Sequence, residues 1–177
     1  TNYCGFCCIS NALSEFSQEI VTIKEMDTVA DQLWFQMVDN PSLGLLTELE
    51  PMRDIEGFYS VEVIKFTLEG HGYQMNRINV SALTGLSAVE SGLYVMSSLQ
   101  KQSEIISLII RLRLQIHWIT VSFPSSRNPL LKDSEKLKPI PITIVQLGDL
   151  FLNNLVNPGG VFFPVKGYSN IRQRGKT

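Results

Sequence analysis

Cys4-Gly5-Phe6-Cys7-Cys8-Ile9-Ser10-Asn11-Ala12-Leu13 is the stretch on which the reading of this chain turns. Cys8, Ile9, Ala12, Leu13 and Phe16 fall at helical spacing, so the segment predicts an amphipathic helix with one stripe turned to a core. Cys4 lies one turn before Cys8, at or near the helix start. The positive end of the helix dipole and the unpaired first-turn N–H groups favour a thiolate at such a place. Buried cysteines are also common, and Cys7 and Cys8 read as packing residues. Cys4 and Cys7 form a C-x-x-C, the redox spacing, but only three residues precede Cys4, leaving no room for the strand that normally leads into it. Zinc wants four ligands, usually as two pairs. Beyond the three clustered cysteines there are only His71 and His117, so no metal is expected.

The chain of 177 residues is long enough for one domain with a proper core, and its 44% apolar content predicts a globular one. A formal charge of -2 leaves no basic footprint, which argues against nucleic acid as a partner. Three cysteines within five positions cannot form a disulfide framework, so a reducing compartment, cytoplasm or nucleus, is expected. The apolar run Ile105 to Ile116 is interrupted by Arg111 and Arg113 and is too short to span a bilayer, so no membrane segment is expected. The sequence begins with Thr immediately before its first helix, which points to a truncated N-terminus.

Further along, Thr22 and Glu25 have the spacing of a capping box and open a second helix through Ile23, Met26, Ala30 and Leu33. Residues 41 to 57 read as an exposed connection able to act as a lid or partner surface. Ser60 caps a third helix with Val61, Ile64 and Leu68 on one face, ended by Gly70 and Gly72. Tyr73 to Val80 fits a strand. From Ile106 to Ile116 every even position is apolar, which predicts a half-buried strand, continued by His117 to Val121 after a parity change or bulge near His117. Pro124 to Pro129 is turn chemistry. Leu147, Leu150, Phe151 and Leu155 suggest a last helix, stopped at Asn157 to Gly160, and Val161 to Val165 a final strand whose Pro164 points to an edge. The tail from residue 169 is basic.

A nucleophilic cysteine needs a base, and the base needs a group to orient it. His117 is the histidine on a strand. If the following turn centres on Ser125, His117 and Asp133 face each other directly across the hairpin. Asp133 could then hold one ring nitrogen and leave the other to Cys4. A one-residue slip would put the pair on opposite faces.

A helical Cys, a strand His followed by Trp, and an Asp followed by Ser is a papain-like order, and it resembles the Josephin family of cysteine deubiquitinases. Cys4 to Leu13 is similar to that family's C-x-x-x-C-x-x-N-x-L helix, and Glu56 to Ile64 to the stretch before its third helix. His117-Trp118-Ile119-Thr120-Val121 resembles its histidine strand, Asp133-Ser134 with Lys136-Leu137 and Pro139 its aspartate segment, and Val161 to Gly167 its closing strand. The resemblance implies an α+β papain-like fold over residues 1–168, N-terminal helices packed on a small antiparallel sheet, with 169–177 as tail. It implies Cys4 as nucleophile, His117 as base and then acid, Asp133 as the orienting residue, and no metal or cofactor. It further implies ubiquitin or polyubiquitin as partner of a monomer, with Val61, His71 and Trp118 as ubiquitin contacts, His71 standing where some relatives carry a Trp. The family's oxyanion-hole Gln would precede Thr1. Relative to the family, residues 101 to 116 read as an insertion, and Leu93 to Met96 as the run expected to lead into the histidine strand. Two other functions are weighed: a catalytically impaired ubiquitin-binding module, and a C-x-x-C thiol oxidoreductase.

Overall fold

In a computed structural model, residues 4–14, 20–39, 59–100, 107–112, 117–124, 128–136 and 138–167 are described. The first helix, α1 (Cys4–Ser14), buries Cys4, Gly5, Cys8, Ile9, Ala12 and Leu13, the stripe expected from the sequence; Phe16 and residues 41 to 57 lie outside the described residues. α2 (Ile23–Asp39) begins as anticipated, with the Glu25 N–H donating to Thr22 Oγ1 at 3.1 Å. The carboxylate of Glu25, however, meets His71 Nε2 at 2.6 Å, so it joins α2 to the end of α3 (Val61–Gly70). Ser60 caps α3 by accepting from the Val63 N–H, and Gly72 follows the helix end at φ 90°, a conformation that favours glycine.

The strands β1 (Tyr73–Arg77), β2 (Ser107–Leu112), β3 (His117–Ser122), β4 (Leu130–Lys132), β5 (Ile140–Pro141) and β6 (Val161–Lys166) form one sheet in the order β1-β6-β2-β3-β4-β5. Every neighbouring pair in it is antiparallel. The chain is therefore α+β, but the helices do not lie on one side only. Ile109, Trp118 and Phe162 pack with α1, α2 and α3, while their strand neighbours Leu108, Ile110, Ile119, Val121, Val161 and Phe163 pack with α4 (Ala88–Gln100) and α5 (Ile144–Val156). Alternating side chains thus enter two separate cores.

This second core corrects several expectations. Ser107 to Ile110 are buried without exception, so the first part of β2 is not half-exposed: helices cover both faces of the sheet. The run of alternating apolar residues does not continue into His117 as one bulged strand. Leu112 pairs with His117, so the chain reverses between them and the two halves of the run form a hairpin. The part of the expected insertion that is described, β2, lies between β6 and β3 in the sheet interior. Leu93 to Met96 belong to α4 rather than to a strand. Tyr73 to Val80 is strand only as far as Arg77, after which Val80–Leu83 form a short 3-10 turn. Pro164 sits in β6, an interior strand, yet β2 pairs with that strand only at Val161 and Phe162. At Pro164 the ladder runs to Met75 of β1, and among the described residues Pro164 has no partner in β2, so a missing N–H on that side breaks no pairing there.

Two glycines let α4 and α5 approach closely. A Cβ on Gly148 would stand 1.8 Å from the Ala88 carbonyl oxygen, and one on Gly92 would stand 2.1 Å from that of Ile144. α5 opens with a complete capping box in which Thr143 Oγ1 accepts from the Gln146 N–H while Gln146 Oε1 accepts from the Thr143 N–H. Among the described residues no helix is long and apolar enough to cross a membrane.

Candidate active site

The site is assembled where the start of α1 meets the start of β3. Cys4 is the first residue of α1, and one turn later Cys8 is clamped to β3. Its thiol donates to the Ile119 carbonyl at 3.2 Å, and Thr120 Oγ1 lies 3.1 Å from the Cys8 carbonyl oxygen and 3.0 Å from its sulfur. Burial pushes the Cys8 thiol far up, beyond what its bond to Thr120 offsets, so it stays protonated and acts as packing. Cys7 is half-buried, and its thiol is likewise raised, by burial first and by the neighbouring Cys4 second. None of the three cysteines is in a disulfide.

Tyr59 holds the other side. Gly5 packs so close to it that an added Cβ would come 3.1 Å from the Tyr59 ring. The Tyr59 hydroxyl donates to Asp27 of α2 at 2.7 Å, while its carbonyl accepts the Trp118 indole N–H at 2.9 Å. Trp118 has no exposed surface and leans on Phe162 with ring centroids 6.3 Å apart. It is a structural residue that satisfies its one donor internally, and the expectation that it contacts ubiquitin is corrected on that ground. Val61 is partly exposed. His71 is only 12% exposed in its side chain and is engaged by Glu25, so it presents little free surface.

His117 Nε2 lies 2.6 Å from Asp133 Oδ1. The pairing is real, but its geometry differs from the expected one. Thr120 faces Lys132, Val121 faces Leu131 and Ser122 faces Leu130, which places Asp133 two residues away from the position directly across from His117. A two-residue shift preserves side-chain parity, and β4 ends at Lys132, freeing Asp133 to turn toward the ring. Asp133 is fixed there by its own turn: its Oδ1 accepts the Glu135 N–H at 3.0 Å, and its carbonyl accepts the Lys136 N–H at 2.9 Å.

With Nε2 committed to Asp133, Nδ1 is the ring nitrogen left for Cys4. Nδ1 is buried without a well-aligned hydrogen bond, as is common in catalytic sites before substrate binds. The Cys4 sulfur is nonetheless the strongest influence on the ring. Cys4 and then Asp133 raise the imidazole to about 9, against the opposing effect of burial. The ring is thus set between a sulfur and a carboxylate, both of which favour its protonated form. Cys4 itself is fully buried and His117 is 3% exposed.

The chain matches no protein-family model, and no curated protein matches it. Among the described residues, His117, Asp133 and Glu135 gather donor atoms within 4.8 Å of one another, a spacing a cation could use. Binding one there would compete with the 2.6 Å His117–Asp133 contact and with the raised proton affinity of the ring.

Sequence reasoning missed the Cys8–Thr120 clamp and the Tyr59 bridge. Both join residues more than thirty positions apart, and nothing local marks them. It also passed over a cleft of about 380 Å³ beside Asp133, bounded by α1 and by the turn after β4.

Proposed function

We propose that this chain is a papain-like, Josephin-type cysteine hydrolase that cleaves isopeptide bonds at the C-terminus of ubiquitin. The observation that carries the reading is the imidazole of His117, held at 2.6 Å by Asp133 and pushed up chiefly by Cys4. A cysteine at a helix start, paired to a histidine that a carboxylate orients, is a nucleophile–base–orienter set. The protein substrate itself is inferred from the family resemblance. It is consistent with Trp34 and Phe35, which lie 51% and 65% exposed on α2 and offer the kind of aromatic surface that macromolecular partners use.

In this reaction the Cys4 thiolate attacks the carbonyl carbon of ubiquitin's terminal glycine. First-turn N–H groups of α1 lie at the nucleophile and can receive the negative charge on the carbonyl oxygen. The C–N bond breaks, and the lysine amine leaves with the proton from His117, which becomes neutral. Water then adds to the thioester, giving its proton to His117, and the C–S bond breaks to restore the thiolate. No metal or organic group is called on. Because Cys4 is covered, substrate entry requires the groups packed over it to part.

That full burial favours a second reading, a ubiquitin-binding module whose site stays closed. An oxidoreductase has less support, since the sheet is antiparallel throughout and the Cys7 thiol is raised rather than lowered. The discriminating assay is hydrolysis of a ubiquitin C-terminal fluorogenic amide by the wild-type chain, with Asp133→Asn beside it. Turnover by the wild type that falls about 10²–10⁴-fold in Asp133→Asn supports the hydrolase. Ubiquitin binding without turnover assigns the chain to the second reading.

A further inference from the structure

The cleft beside Asp133 runs between the half-buried face of α1 and the turn that follows β4. Phe6, Cys7, Ser10 and Asn11 form one wall, and Lys132, Asp133, Ser134, Lys136, Lys138 and Pro139 the other. Three lysines thus stand around the carboxylate of Asp133, which is engaged by His117, and Glu135 brings a second carboxylate within 4.8 Å of it, so the lysines outnumber the acids by one. In a chain with a net charge of -2, this concentrates positive charge at one point on the surface. Lys136 and Lys138 are exposed, and at a Debye length of ~8 Å they act together on any charge that enters.

The cleft's position relative to the chemistry selects the ligand. With Nε2 of His117 on Asp133, Nδ1 is left for Cys4, and in the proposed reaction this ring protonates the leaving amine. The leaving side of the substrate accordingly lies on the histidine side of Cys4, and the cleft begins just beyond Asp133. We propose that this cleft is a subsite for acidic side chains on the polypeptide that carries the leaving amine, with Lys136 and Lys138 setting the preference. The proposal rests on the hydrolase reading for the identity of its ligand, while the charge preference of the cleft is measurable without catalysis.

The test uses the full chain carrying Cys4→Ala, titrated into fluorescent peptides that share one lysine-containing frame and carry either three glutamates or three lysines. The acidic peptide is expected to bind at least tenfold tighter than the basic one. Lys136→Glu/Lys138→Glu is expected to remove about tenfold of that preference, and Lys136→Arg/Lys138→Arg to keep it. A matched control, Lys24→Glu/Lys166→Glu, makes the same charge change at exposed positions outside the cleft and is expected to keep the preference as well. Equal binding of both peptides overturns the proposal, and so does an equal loss in the control, which would indicate general charge attraction. Wild-type protein is assayed in parallel on ubiquitin linked through its C-terminus to the same peptides. Preferential cleavage of the acidic conjugate supports the subsite, and cleavage without preference overturns it. Peptide preference without cleavage of either conjugate leaves the acidic subsite in place and removes the hydrolase reading.

Discussion

The proposed chemistry depends on one imidazole. His117 is raised to about 9 by Cys4 first and Asp133 second, so removing either should lower its titration, with Cys4→Ala having the larger effect. Ring-proton NMR across pH 5–11 measures this directly, and a larger fall in Asp133→Asn than in Cys4→Ala would contradict the assignment. The same shift fixes a stability window. A histidine raised from 6.5 to about 9 on folding contributes stability that is fully present below pH 6.5 and lost as pH rises through about 9. Urea midpoints of the wild type should therefore decline between pH 6.5 and 9, and less steeply in Asp133→Asn. Of the residues at the site, Cys4, His117 and Asp133 were legible because their types and order fit a known chemistry. Trp118 was misjudged for a plain reason: its indole turns inward to the Tyr59 carbonyl, while its neighbour His117 meets Asp133. Adjacent residues of a strand face opposite ways, and sequence alone does not say which side is solvent.

At the scale of elements, α1 and β3 matter because they must meet in register. Cys8 and Thr120 lock them, one turn after Cys4 and three residues after His117. Thr120→Val removes the hydroxyl from this clamp, and we expect a loss of about 1–2 kcal/mol in urea unfolding together with a weaker Cys4–His117 interaction. Unchanged stability with an unchanged His117 titration would show the clamp to be incidental. α1 itself was readable from its apolar stripe, and α3 from its Ser60 cap and closing glycines. The hairpin was readable only in part. Alternation across Ile106 to Ile116 has the period of a strand but does not mark the reversal after Leu112, since both arms are apolar at the same spacing. Its partner arm came out two residues from the expected register, and the histidine–aspartate pair survived because that displacement keeps parity.

Over the whole molecule, the sheet is enclosed by helices on both faces, and the closeness of α4 and α5 depends on glycine. Gly148→Ala should cost about 3 kcal/mol or more, because the Ala88 carbonyl occupies the space a methyl needs. Gly70→Ala, where nothing lies within 4 Å, should be neutral or stabilise by about 0.5 kcal/mol. Thermal melts of the two variants test the contrast, and similar midpoints would refute the close crossing. The second core was illegible as a layer because α4 carries exposed Val89, Leu93 and Tyr94 beside buried Val95 and Leu99, which blurs its apolar face. The α+β class did emerge from the sequence, since helix periodicity dominates its first part and strand periodicity its middle. The most direct test of the central claim is intact-mass analysis after incubation with a ubiquitin C-terminal electrophile, with the labelled residue mapped. The account predicts a single adduct on Cys4, absent in Cys4→Ala and markedly slowed in His117→Ala. Labelling on Cys7, or an adduct on Cys4 that forms equally fast without His117, would contradict it.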